Sequence, residues 1–457
     1  MFKKLFAATD MTTGTPWRVI LAFSIPMLIG NIAQQLYSTV DSIVVGRYVG
    51  DNALAAVGSA TPILNLLLVL FVGISTGAGV MVSQYFGARR REDLSNTIGT
   101  CITLSALSSI LLMVVSPFII RPMLEMLNTP ASIINDCYNY LLISMLGIAG
   151  LTFYNIFSGI LRGLGDSVSA LVYLLIATAL NIVLDLTFVI AFDMGVAGVA
   201  LATILAQLIS AICCWFKLAK MRDIFEVHAH NLKPNKKYLR EVARLGLPAG
   251  ITQAIFSAAM IIVQSLTNSF GEMVIAANVI VMRVDGFAMM PNFSFGTAMT
   301  TYAGQNVGAR KYDRVTQGAK QGTILALAFS AAITVIILIF GKFLMAIFTT
   351  TTELVEMSYR FMSILAVGYI AITVTQCLSG IMRGAGDSTT PMWISLITTV
   401  AIRVPLAYLL AFLTRSAELP NGNFLALPIS LVASWVLGAV LTTLFYRKGA
   451  WKRKALQ

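Results

Sequence analysis

The sequence predicts an all-α polytopic membrane protein, with twelve transmembrane helices arranged as two pseudo-symmetric six-helix bundles. Three observations lead there. Apolar residues make up 57% of the 457 and charged residues only 11%, whereas soluble domains carry about a quarter charged residues. Twelve apolar blocks are each long enough to cross a hydrocarbon core of ~30 Å as a helix. The chain also repeats itself. Residues 158–167 read Ser-Gly-Ile-Leu-Arg-Gly-Leu-Gly-Asp-Ser, and residues 379–388 read Ser-Gly-Ile-Met-Arg-Gly-Ala-Gly-Asp-Ser. Eight of those ten positions are identical, at an offset of 221. Gln84, Gly87, Ala88 and Arg89 match Gln305, Gly308, Ala309 and Arg310 in the same register. Duplicated apolar halves are a signature of membrane transporters whose substrate sites lie between repeats.

In order, the first span covers 17–44 and carries Pro26. The second, 53–82, starts after Gly50 and leads into the Gly-Ala-Arg loop, and the third covers 95–119. The fourth, 133–160, runs into the Arg-Gly-x-Gly-Asp-Ser loop; the fifth covers 169–192 and the sixth 195–218. The second set follows at 242–270, 273–302, 316–340, 355–381, 389–413 and 424–446. The offset holds from Gly50/Gly271 to Ser167/Ser388 and becomes 222 at Pro26/Pro248. Each repeat therefore holds six helices. An even number means both enter the membrane in the same sense, so the repeats are parallel. The expected division is an N-terminal lobe at 1–219, a charged linker at 220–241 and a C-terminal lobe at 242–457. The prolines Pro26, Pro62, Pro248, Pro291, Pro405 and Pro428 fall within spans, where each removes a backbone hydrogen bond and permits a kink.

A net charge of +12 raises the question of nucleic acid, but the basic residues answer it by position. With twelve spans both termini lie on one side, and 25 of the 32 Lys and Arg fall there. That is the positive-inside bias, placing both termini in the cytoplasm and the chain in the cell membrane. The basic run Lys448–Lys454 reads as attraction to anionic head groups. No cleavable signal peptide is expected. The five cysteines, Cys101, Cys137, Cys213, Cys214 and Cys377, form no Cys-x-x-Cys pair and indicate neither a metal site nor a disulfide framework.

Two features read as structural. The histidines His228 and His230 lie in the linker, where solvated residues are expected. The glycine-rich loops have no preceding strand and no Gly-Lys-Ser/Thr. They are expected to be tight turns, with Asp-Ser capping the next helix.

Polar residues inside the spans point to function. Asn31, Gln34, Ser38 and Asp41 are spaced 3, 4 and 3 apart, one face of the first helix. Asn181 and Asp185 stack four apart in the fifth span. Thr203 and Gln207 lie in the sixth and Asn155 in the fourth. Lipid cannot satisfy such groups, so they face protein or water. A charged side chain at mid-membrane costs at least ~2.5–3.5 kcal/mol, so Asp41 and Asp185 are candidates to hold a proton or a cation. Neither has an acidic counterpart in the second repeat: Leu406 stands opposite Asp185, and Ile262 or Val263 opposite Asp41. The second repeat supplies Arg283 and Asp285, which at i, i+2 do not face each other, together with Arg403, Gln253 and Met282. The substrate-cavity candidates are Asn31, Gln34, Ser38, Gln207, Arg283, Asp285, Gln253 and Met282. Pro26, on the helix that carries Asp41, is the candidate kink.

Taken together, the chain resembles the multidrug and toxic compound extrusion (MATE) family. The carriers are the paired six-helix repeats, the Gly-Ala-Arg loops, the Arg-Gly-x-Gly-Asp loops and Asp41 in the run Tyr-Ser-Thr-Val-Asp-Ser. It looks closest to the DinF-like branch, which implies a coupling site in the first lobe at Asp41, Asn181, Asp185, Thr203 and Asn155. The carboxylates on which the NorM-like branch relies, in the seventh and tenth spans, are missing here. The resemblance implies antiport, with amphipathic and often cationic drugs or metabolites leaving as H⁺ or Na⁺ enters. H⁺ is favoured, because two carboxylates come with few further oxygen ligands. Na⁺ would sit at Asp41 and Asp185, and no other metal and no cofactor is expected. The expected partners are small amphipathic molecules and membrane lipids, not nucleic acid, and the chain is expected to act as a monomer. A flippase for a lipid-linked precursor is the alternative, kept open by Arg283 and Arg403. With no nucleophile–base pair and no metal-ligand spacing, an enzyme is not expected.

Overall fold

A computed structural model describes residues 9–126, 129–417 and 419–454; the side chains of Ser38, Asp41 and Pro62 lie outside the described residues. The first six spans are α1 (Pro16–Val44), α2 (Asp51–Gly87), α3 (Arg91–Met126), α4 and α5 (Ile134–Leu146, Ile148–Gly163), α6 (Ser167–Leu186) and α7 (Gly195–Ala219). The next are α8 (Lys236–Ser269), α9 and α10 (Glu272–Ala288, Met290–Gly308), α11 (Tyr312–Ala346), α12 (Thr352–Gly384), α13 and α14 (Thr389–Leu396, Val404–Leu413) and α15 (Ala426–Lys448). No strand occurs among the described residues. Ten spans qualify directly by length and composition, and two bent pairs complete the twelve. Every expected span is present, and most run a few residues beyond the apolar block. Large side chains such as Phe118, Ile339, Phe343 and Leu413 point outward, as lipid-facing surfaces require.

Packing divides the chain into two compact units. One comprises Ile29–Gly250 with the chain up to Asp10; the other comprises Met11–Leu28 and Ile251–Gln457. The division thus runs through the first helix of each repeat, two residues after Pro26 and Pro248. In the first unit α7 packs against α4, α5 and α6, and α5 against α2 and α3. In the second, α12 is central, against α10, α11 and α15.

The duplication extends to hydrogen bonds. In the Gly-Ala-Arg loops, Ala88 N–H donates to the Gln84 carbonyl at 2.9 Å and Ala309 N–H to Gln305 at 3.0 Å. Arg89 and Arg310 both take a left-handed backbone, φ 55° and 57°, uncommon for a non-glycine residue. In the second pair of loops Gly165 (φ 83°) and Gly386 (φ 97°) supply that conformation without strain. The next residue caps the following helix. Asp166 accepts from Ser169 N–H at 2.9 Å, and Asp387 from Thr390 N–H at 3.1 Å. The capping expectation for these turns therefore holds, and Lys454 adds an ion pair to Asp387 at 2.8 Å.

Each repeat also brings two helices together on glycine. A Cβ on Gly163 would lie 2.8 Å from the Gly79 carbonyl oxygen, and one on Gly384 would lie closer still to that of Thr300. These are equivalent positions in the two repeats, so one α2–α5 crossing recurs as α10–α12. Small residues let backbones approach where lipid supplies no hydrophobic drive for association.

Some elements differ from what the sequence predicts. Pro291 lies at the break between α9 and α10, and Pro405 just after the π segment Ile397–Arg403, each inside a span that runs on, as Glu272–Gly308 and Thr389–Leu413. The fourth span bends by 53° between α4 and α5, where Gly147 leaves room for Ile204. Three π-helical segments occur among the described residues, at Val45–Val49, Thr187–Ala191 and Ile397–Arg403.

The linker is docked against the first unit rather than loose. Tyr238 donates to Asp93 at 2.8 Å, the Asn231 amide to Asn96 at 2.7 Å and Thr103 to the Leu232 carbonyl at 2.6 Å. His228 and His230 are exposed and stacked, with centroids 5.6 Å apart. No group of three metal-binding side chains occurs among the described residues.

Gly384→Val and Gly163→Val are expected to destabilise the protein by about 1–3 kcal/mol through overpacking, read as a lower thermal unfolding temperature of the purified protein. Gly58→Ala, with open space at its Cβ, is the control expected to leave it unchanged. Wild-type melting of Gly384→Val would refute the crossing.

Candidate functional site

The first unit holds a closed polar set within apolar helices. Asp166 starts α6 by capping it, which fixes where Asn181 and Asp185 fall three turns and more along. The connection to α7 is short, with Asp193 at φ 51°, so α6 and α7 pack side by side and Thr203 faces Asn181. Asn181 and Asp185 are 2% and 1% exposed. The Asn181 amide is assigned the orientation that satisfies its neighbours. Its nitrogen donates to Asp185 Oδ2 at 2.8 Å and to the Tyr37 hydroxyl at 3.3 Å. Its oxygen accepts from Thr203 N–H at 3.1 Å and from the Thr203 hydroxyl at 3.3 Å. The Tyr37 hydroxyl lies 3.2 Å from Thr203 Oγ1. Tyr37 can donate to Thr203, and Thr203 to Asn181. Directly after Asp185 the helix widens into the π segment Thr187–Ala191, a distortion that recurs at functional sites.

A second set lies in the second unit. Tyr369, fully buried on α12, donates to Asp285 Oδ1 on α9 at 2.6 Å. Thr373 donates to Asn292 Oδ1 at 2.7 Å and lies 2.6 Å from the Tyr369 carbonyl. The charge of Arg403 acts on the same carboxylate.

Of the residues singled out in the sequence, the structure brings Asn181, Asp185 and Thr203 together. Asn155 stands apart from them, since its amide donates at 2.8 Å to the Leu151 carbonyl on its own helix. Gln207 lies one turn beyond Thr203, its Oε1 buried with no hydrogen-bond partner among the described residues. Asn31 is half-buried and Gln34 exposed on α1, both in the first unit. Gln253, Met282 and Arg283 are exposed in the second unit and Asp285 is half-buried. Asp41 and Ser38 lie on α1, and nothing further is described for their side chains. Sequence reasoning passed over Tyr37, Tyr369, Thr373 and Asn292. Tyr37 had a signal: it stands four residues before Asp41, on one helical face.

A tandem-repeat, twelve-span helical frame with buried carboxylate networks defines a membrane carrier. A sequence model of the MatE family matches residues 26–187 and again 248–409, and the chain belongs to that family of multidrug efflux transporters. Among relatives, the probable multidrug resistance protein YpnP of Bacillus subtilis is 30% identical, covering 98% of this chain and 99% of its own. The probable multidrug resistance protein YoeA of the same organism is 28% identical, covering 96% and 95%. A crystal structure of MATE in the bent conformation matches with a TM-score of 0.90 at 24% identity, over 98% of each chain.

Asn181→Leu leaves the Asp185 carboxylate and two hydroxyls short of a partner. It is expected to cost about 1–3 kcal/mol, seen as a lower unfolding temperature, with Thr203→Val milder. An Asn181→Leu protein as stable as wild type would mean that the ring does not form.

Proposed function

We propose that this chain is an H⁺-coupled antiporter that exports amphipathic, often cationic, organic compounds, with coupling through Asp185 and its partners Asn181, Thr203 and Tyr37. The observation that carries the reading is Asp185 itself, a carboxylate only 1% exposed within an apolar span and next to Asn181. A hard cation such as Na⁺ needs several oxygen ligands around the carboxylate. A proton needs only the carboxylate itself. Support for the export reading comes from the family, whose relatives are named as multidrug resistance proteins.

Mechanistically, a carboxylate in an apolar span exists in two states that the surroundings separate sharply. Protonated, Asp185 is neutral and compatible with a closed, dry bundle. Ionised, it attracts an organic cation into an apolar pocket and offers it a counter-charge. A proton and a substrate cation therefore bind in opposition. Proton entry from outside displaces substrate outward, and proton loss inward readies the carrier again. The positive-inside bias supports both termini lying in the cytoplasm.

The test is efflux of a fluorescent organic cation from liposomes containing the purified protein. An imposed pH gradient, acidic on the side that receives substrate, is expected to drive efflux, and Asp185→Asn to lose at least tenfold of it. A Na⁺ gradient at equal pH on both sides is expected to do nothing. Efflux driven by Na⁺ alone would overturn the H⁺ assignment, and absence of any cation efflux would favour the flippase reading.

A further inference from the structure

Asp285 is a half-buried carboxylate that the first-repeat mechanism does not use. It sits on α9 within the second unit, and three observations set it apart from a structural ion pair. First, its Oδ1 is held by the hydroxyl of Tyr369, a fully buried residue, at 2.6 Å, with Thr373 and Asn292 close by. Such a fixed donor holds the carboxyl group in one orientation, whatever its charge. Second, Arg403 forms no ion pair with it among the described residues, and its Nε is buried with no hydrogen-bond partner there. A guanidinium with an unused donor is not the tight, bidentate partner of a permanent salt bridge. Third, Arg403 closes the seven-residue π segment Ile397–Arg403. The first-repeat network shows the same association, with the π segment Thr187–Ala191 starting two residues after Asp185. A π turn inserts a residue and re-aims the side chains that follow.

The set is also not inherited from the duplication. Positions equivalent to Asp285, Tyr369 and Arg403 hold Leu64, Ile148 and Ile182 in the first repeat. Conversely, Asn181 and Asp185 correspond to Ile402 and Leu406. Each repeat therefore carries one ionisable network where the other is apolar.

We propose that Asp285, held by Tyr369, is a second proton-exchange site, located in the second repeat and separate from Asp185. The proposal rests on the reading of the chain as a proton-coupled antiporter. The step is a simple ionisation: the carboxyl O–H bond breaks, the proton passes to water, and the electron pair stays on the carboxylate. The ionised carboxylate then balances Arg403. On reprotonation Arg403 loses its counter-charge and is drawn toward water or toward an anionic group of a substrate. The charged and titratable groups concerned are Tyr369 from α12, Arg403 from the π segment and Arg283 two residues away on α9 itself, the last of these exposed. Tyr369 acts as a positioning residue.

The test is infrared difference spectroscopy between acidic and alkaline pH on the purified full-length protein in lipid, reading the C=O stretch of protonated carboxyl groups. Asp285→Asn is expected to remove one pH-dependent carboxyl band that Asp185→Asn leaves in place. Tyr369→Phe keeps the carboxyl group but removes its hydrogen bond. It is expected to shift that band in frequency, and it serves if the Asp285 variant does not fold. Identical carboxyl bands in wild type, Asp285→Asn and Tyr369→Phe would overturn the proposal. The spectra need no transport, so failure of wild-type efflux would count against the antiporter reading alone.

Discussion

A polar group in the interior of an apolar span has no water to turn to, and most of this structure answers that constraint. The helices satisfy their own backbones. At the turns, Asp166 and Asp387 take up the first amide groups of the helices that follow. The N-terminal segment shows the same logic, with Met11 N–H donating to Gln305 at 2.8 Å and the Met11 carbonyl accepting from Asn306 at 3.2 Å. Where a carboxylate must be buried, a ring of partners is built around it. The Asn181 amide spends its nitrogen on Asp185 and Tyr37 and its oxygen on Thr203.

Duplication supplies the frame and divergence supplies the chemistry. The two helix-ending turns and the glycine crossing recur at an offset of 221, down to matching hydrogen bonds and backbone angles. These positions tolerate little change, because a Cβ at Gly163 or Gly384 would meet backbone. The polar networks are free of that restriction and lie at non-equivalent places in the two repeats. One frame thus carries two different carboxylates, each in one repeat only.

How much could be read beforehand follows from the same physics. Span positions were legible because a long, uninterrupted apolar run suits little except the core of a bilayer. The turns were legible because their residues recur. Asn181, Asp185 and Thr203 were legible as polar residues in the wrong solvent. Tyr37 and Tyr369 were not, since a tyrosine in an apolar helix looks like any core aromatic until its hydroxyl is placed. The Asn155 amide bonds its own helix backbone, a partner that residue type alone does not reveal. The π segments left no trace in the pattern, because one extra residue per turn barely changes which residues are apolar.

The central claim is that the Asp185 carboxylate trades a proton for substrate. Its most direct measurement is proton release in weakly buffered solution when a fluorescent organic cation is added to the purified protein. The account predicts release by the wild type and a reduced count per bound cation in Asp185→Asn, at matched folding. Equal release from the two proteins, with binding intact in both, would contradict it.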